Sequence, residues 1–169
     1  ARMVAAAEAL GSCDILVNAA AIIGPVGDVE KLDPDAFADA LRINVTGTYL
    51  ACRAALPVMR RRRAGLILNV ASGLADRVQG GWACYGATKA ALSPLVESLN
   101  CEEGHHGIRA SLVMPGEVVT PMLMTRPQPP SAQDFERMLQ PEDLGNLIRF
   151  IATAPPRMVK TVIGMLTVW

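Results

Sequence analysis

Apolar residues in this chain fall into short unbroken runs separated by longer stretches with helical spacing. Met3, Val4, Ala7 and Leu10 share one helical face and predict an opening helix, with Gly11 as its C-terminal cap. Asp14-Ile15-Leu16-Val17-Asn18 has the pattern of a strand buried on both faces. Ala19 to Gly27 is small and loop-like. Asp33-Pro34-Asp35 reads as a helix start, with Asp33 as N-cap, Pro34 in the first turn and Asp35 near the positive end of the dipole. One long helix is then expected through Phe37, Leu41, Val45, Leu50 and Leu56, ending at Arg60-Arg61-Arg62-Arg63-Ala64-Gly65. Gly65 to Ala71 is a second buried strand with Ser72 at its carboxyl end. Ala83 to about Glu103 is the next helix, and Ile108 to Met114 is a third strand closed by Pro115-Gly116. Thr120 to Ser131, with prolines at 121, 127, 129 and 130, reads as a loop or lid. Pro141-Glu142-Asp143 opens a helix through Leu144, Leu147, Ile148 and Ile151, and Val162 to Val168 is a fourth strand.

Strands that alternate with helices predict an α/β fold: a doubly wound, mostly parallel sheet between helical layers. In such sheets ligands bind beyond the carboxyl ends of the strands. Asn18, Ser72 and Pro115-Gly116 all stand at such ends, so three strands deliver polar or bend-forming residues to one edge.

Composition narrows the class. The 169 residues suffice for one domain with a core, and 51% apolar against 19% charged residues argues against disorder. Lys plus Arg equals Asp plus Glu at 16 each, which gives no electrostatic reason to expect nucleic acid or an anionic membrane surface as partner. No apolar run approaches the ~20 residues that span a bilayer. The cysteines at 13, 52, 84 and 101 form no C-x-x-C pair and no zinc spacing. No metal site is therefore expected, and isolated thiols suggest a reducing, cytoplasmic setting. Cys84 reads as packing and His105-His106 as a solvated turn. The four arginines at 60 to 63 read as cations at the negative end of a helix.

The chemistry concentrates at Tyr85-Gly86-Ala87-Thr88-Lys89. Positions i and i+4 share a helix face, so a phenol and an ammonium meet. A phenol with an ordinary pKa of about 10 is a poor base near neutrality. A fixed cation beside it favours the phenolate. The pair suits proton transfer in an alcohol/carbonyl interconversion. A half-buried tyrosine beside a solvated lysine is the bland alternative. Leu74, Trp82, Met122 and Leu123 are open between lining an apolar pocket and ordinary packing.

These residues together resemble the short-chain dehydrogenase/reductase family over essentially the whole chain. Asp14 to Ala21 is similar to the family's central-strand motif Asn-Asn-Ala-Gly, with Asn18 and Ala20 matching. Asn44, in Ile43-Asn44-Val45-Thr46-Gly47, stands at the family's helix asparagine. Ser72, Tyr85 and Lys89 reproduce its catalytic triplet with its spacing. Pro115-Gly116-Glu117-Val118-Val119-Thr120 resembles the segment that folds around the nicotinamide. The resemblance implies a Rossmann-like fold, NAD or NADP as cofactor, and a small-molecule alcohol or carbonyl substrate. It implies Tyr85 as general acid/base, Lys89 lowering its pKa and holding the nicotinamide ribose, Ser72 polarising the carbonyl, and Asn44 holding a relay water. Asn18, Ala19, Ala20, Pro115, Gly116, Val118 and Thr120 would lie along the cofactor with Tyr85 and Lys89. A homodimer or homotetramer through the helices at 34–60 and 83–103 is also implied.

Two departures stand beside these matches. No G-x-x-x-G-x-G turn occurs, so the usual pyrophosphate cradle and the residue that separates NAD from NADP are missing. Residues 1–169 are therefore expected to be the C-terminal two-thirds of a single domain, without its first three strands. The Ile15–Val17 strand would then have an open apolar edge, and dinucleotide binding would be weak. A truncated, non-catalytic homologue serving as a partner subunit or interaction module is the alternative reading. The second departure is Pro94, which reads as a proline inside the helix of Tyr85 and Lys89.

Overall fold

The computed structural model describes residues 2–155 and 161–165. Helix α1 (Arg2–Ala9) leads into strand β1 (Ile15–Asn18). Helices α2 (Pro34–Leu41) and α3 (Gly47–Arg62) connect it to β2 (Gly65–Val70). Helices α4 (Ala83–Ala90) and α5 (Leu92–Glu103) lead to β3 (Ile108–Pro115), and α6 (Ala132–Phe135) and α7 (Pro141–Thr153) precede β4 (Val162–Met165). The strands pair in the order β1-β2-β3-β4, all parallel, in a three-layer α/β sheet. The expected fourth strand reached Val168; residues 166–169 lie outside the described residues.

Each face of the sheet has its own core. Leu16, Ile67, Ala110 and Leu112 pack with Cys52, Ala55 and Met59 of α3 and Leu92 and Val96 of α5. On the other face Leu66, Leu68 and Val113 pack against Ile151, flanked by Leu144, Leu147 and Ile148 of α7. The apolar stripe of α7 packs on β2, β3 and Ile163 of β4, and not on β1. β1 therefore corrects the expectation of a strand buried on both faces. Leu16 is buried, but Ile15 and Val17, on the α7 side of the sheet, are 47% and 39% exposed. β1 has one partner strand among the described residues. The face expected for α1 is also narrower, since Val4 is buried while Met3 and Leu10 are exposed.

Two expected helices are interrupted. The helix from Pro34 to Arg62 passes through a π turn at Arg42–Thr46, where one extra residue is accommodated. The Ala83–Glu103 helix breaks at Ala91, between α4 and α5. Pro94 thus stands in the first turn of α5, not in a helix interior. Backbone N–H groups there have no helical partner, so a proline is tolerated. The interior proline is Pro57 of α3.

The arginine run does more than face a helix dipole. Arg60 pairs with buried Glu103 of α5, Arg61 with Glu8 of α1, and Arg62 with Asp14 ahead of β1. Arg63 ends α3 at a φ of 51° and donates to the His105 carbonyl. The run ties the end of α3 to three neighbouring segments.

Candidate active site

A cavity of about 620 Å³ opens at the carboxyl ends of β1, β2 and β3. Three things bring side chains to it. β2 ends at Val70, and Ser72 follows with its hydroxyl accepting the Leu74 N–H at 3.2 Å, starting a short 3-10 turn. α4 then presents Tyr85 and Lys89 one turn apart, both on the cavity wall. β3 runs out at Pro115, and Gly116, Glu117, Val118 and Thr120 close the opposite side. An isolated parallel bridge between Val118 and Leu139, with Val119 N–H donating to the Leu139 carbonyl at 2.8 Å, holds that segment in place.

Lys89 is buried and donates to the Val70 carbonyl at 2.9 Å. Its ammonium lies 5.6 Å from the centre of the Tyr85 ring. Burial lowers the Lys89 pKa to about 8, because the charged form loses its hydration. Burial also pushes the Tyr85 phenol above its ordinary value; the Arg126 cation and the Ser72 hydroxyl oppose that rise. A positive charge from outside the Tyr85–Lys89 pair, that of Arg126, thus also acts on the phenol.

Not every residue singled out in the sequence reaches the cavity. Ala19, Ser72, Tyr85, Lys89, Pro115, Gly116, Val118 and Thr120 line it, and so do Leu74, Trp82, Met122 and Leu123. Asn18, Ala20 and Asn44 do not. Asn18 donates to Asn69 Oδ1 at 2.8 Å across the β1–β2 pair and so braces the sheet from within. Asn44, buried in the π turn, accepts the Ile22 N–H at 2.9 Å and donates to the Ile22 carbonyl at 2.8 Å. It also donates to Thr88 Oγ1 at 3.0 Å, and Thr88 donates to the Tyr85 carbonyl at 2.8 Å. Its side chain therefore clamps the loop after β1 onto α4.

Sequence reasoning missed the charged rim. Arg77, Glu117 and Arg126 line the cavity, with Gln79. Arg126 follows the 3-10 turn Pro121–Thr125, and its guanidinium folds back over the Trp82 ring at 5.2 Å and pairs with Glu117. Trp82 in turn meets Tyr85 edge to face at 6.2 Å. No motif marks Arg126; the only signal was an arginine among prolines. Among the described residues no cluster of His, Cys, Asp and Glu has the makings of a metal site, and no helix is long and apolar enough to cross a membrane. The buried Cys84 thiol packs against Gly24, and His105 and His106 stack on each other in a turn.

The short chain dehydrogenase family model matches residues 1–130. The chain belongs to that family. The chain is 32% identical over 156 residues to the L-fucose dehydrogenase of Oryctolagus cuniculus, covering 85% of this chain and 54% of that protein. It is 35% identical over 136 residues to the 2-(R)-hydroxypropyl-CoM dehydrogenase of Xanthobacter autotrophicus, covering 79% and 54%. Among solved structures it is similar to the 3-ketoacyl-(acyl-carrier-protein) reductase of Brucella melitensis complexed with NADH. That likeness has a TM-score of 0.84 at 30% identity, over 95% of this chain and 68% of that one. The chain spans about half the length of the two curated relatives just named.

Proposed function

We propose that this chain carries the proton-transfer half of an NAD- or NADP-dependent oxidoreductase that interconverts an alcohol and a carbonyl. The observation that supports it is one cavity, at the carboxyl edge of a parallel sheet, walled by Ser72, Tyr85 and Lys89 together with Pro115 to Thr120. The family membership and the NADH-bound structural neighbour support the cofactor class.

The cavity fits the nicotinamide end of such a cofactor. Ala19 and Ala21 leave room beside the sheet edge. Lys89 spends one of its three protons on Val70, which leaves donors for a ribose diol. Pro115, Gly116, Val118 and Thr120 would wall the ring, and Asn18 would stiffen the sheet beneath. When bound, the nicotinamide supplies or takes the hydride.

The chain's own groups manage the proton. In reduction, Tyr85 gives its phenolic proton to the oxygen that becomes a hydroxyl. In oxidation it takes that proton back. Ser72 holds the same oxygen and polarises it. Lys89 faces the phenolate that reduction leaves, and Coulombic attraction in a desolvated site favours that charge. Asn44 acts on this scheme by fixing α4 against the loop after β1.

A homodimer or homotetramer is the assembly we infer. Leu41, Tyr49 and Leu50 are exposed large apolar side chains on the rod formed by α2 and α3, which supports that face as the contact. Family membership and the cavity's lining also support a small-molecule alcohol or carbonyl as substrate.

The experiment is Tyr85→Phe in the purified full-length protein. Turnover of alcohols is expected to drop about 10²- to 10⁴-fold, the usual contribution of a general acid/base. Cofactor binding, read by calorimetry, is expected to persist. Turnover that survives the substitution removes Tyr85 from the chemistry.

A further inference from the structure

Arg126 is held on the cavity wall by two partners, Trp82 and Glu117. Its guanidinium lies 5.2 Å over the Trp82 ring, Nη1 binds Glu117, and the side chain is only 18% exposed. Its Nε is buried with no hydrogen-bond partner among the described residues. A guanidinium N–H buried without a partner leaves hydrogen-bonding capacity unused, so this side chain has more to gain from an anion beside it than a fully paired arginine would. The cavity it faces is lined by three cations, Arg77, Lys89 and Arg126, and one carboxylate, Glu117, already engaged by Arg126. Most of the neighbouring wall is apolar: Leu74, Trp82, Met122, Leu123 and Leu144. A guanidinium on the wall of a largely apolar, net positive cavity favours an anion, and the planar fork of arginine matches a carboxylate.

Where that anion sits follows from α4. Trp82 begins the helix and Lys89 lies about 10 Å further along its axis, at 1.5 Å per residue. Arg126 stacks on Trp82, at the end of α4 away from Lys89, and its pairing with Glu117 sets it against the Pro115–Thr120 wall. Tyr85 stands between, close enough to Arg126 for its phenol to respond to that charge.

We propose that Arg126 is a specificity residue that binds a carboxylate on the substrate, so that the protein acts on hydroxy acids and the corresponding oxo acids. This rests on the reading of Tyr85 given above and names the substrate class for the same site.

The test compares secondary hydroxy acids, from 2-hydroxypropanoate to 5-hydroxyhexanoate, with their methyl esters, using NAD+ and NADP+ and the purified full-length protein. At least one acid is expected to exceed its ester tenfold or more in kcat/KM. Arg126→Gln is expected to collapse that ratio through KM for the acid, and Arg126→Lys to restore part of it. A ratio near one, or a ratio untouched by Arg126→Gln, overturns the proposal. So does an effect of Arg126→Gln confined to KM for the cofactor, which would assign the arginine to the cofactor's phosphates. A second readout needs no turnover: the matching oxo acids are titrated against tryptophan fluorescence, since Trp82 underlies the guanidinium. A saturable change that Arg126→Gln abolishes supports the anion site even where no alcohol is oxidised, in which case only the reading of Tyr85 falls. Absence of that change together with absence of acid preference removes the anion site.

Discussion

Lys89 is buried with a single carbonyl partner, and the cost shows in its proton affinity. Its pKa is lowered to about 8 from an ordinary 10.5, with burial as the cause. The sign for stability follows directly. Between those two values the folded chain binds fewer protons than the unfolded one, so stability rises with pH across that window, and the full burial cost applies below it. Activity has the opposite tendency. The Tyr85 phenol, raised by burial, keeps its proton through the neutral range, so proton supply for reduction is not limiting there. The group that changes first is Lys89. Carbonyl reduction is expected to hold level in kcat/KM from about pH 6 to about pH 8 and to decline above that. A profile that stays level well into the alkaline range would separate Lys89 from the reaction.

At the scale of elements, interruptions in the helices do more positioning than the regular turns. The π turn at Arg42–Thr46 carries Asn44, whose two bonds to Ile22 grip the loop that walls the cavity. The break at Ala91 leaves Tyr85 and Lys89 together on one unbroken helix and moves Pro94 into the first turn of the next. Pro94→Ala is therefore expected to change stability by less than about 1 kcal/mol, against the ~3 kcal/mol of a proline in a helix interior. Denaturant titration of the two forms measures it, and a gain near the larger figure would mean that the proline strains the helix after all. Strand positions, the Asp33 cap and the Ser72–Tyr85–Lys89 spacing were all legible in the sequence, because each depends on neighbours within one element or one crossover. The π turn, the open face of β1 and Arg126 were not. Helical periodicity tolerates one extra residue, an apolar run looks the same whether or not a helix covers it, and Arg126 acquires its surroundings only when a loop folds back over Trp82.

For the whole molecule, the sheet ends in a strand whose outer edge has no partner among the described residues, and Ile15 and Val17 stand open on one face. An edge of that kind recruits other strands. Residues 1–169 produced alone are expected to associate, and Ile15→Lys with Val17→Lys to shift the population toward monomer in size-exclusion chromatography with light scattering. A monodisperse, cooperatively melting monomer of the unsubstituted segment would show that the edge is harmless.

Ser72, Tyr85 and Lys89 all come from the single strand–turn–helix passage between Gly65 and Ala90, and the Lys89 bond to Val70 closes that passage on itself. Their mutual distances are thus set by near neighbours in sequence, while the opposite wall of the cavity is built from Pro115 onward. The geometry of the proton chemistry and the choice of ligand are therefore built largely by different stretches of the chain, with the Arg126 charge acting on Tyr85 as the link between them. The first assembles from short-range contacts that form quickly in folding. The second can be altered by substitutions between Glu117 and Thr125 that leave Arg126 in place, without changing the passage on which the first depends.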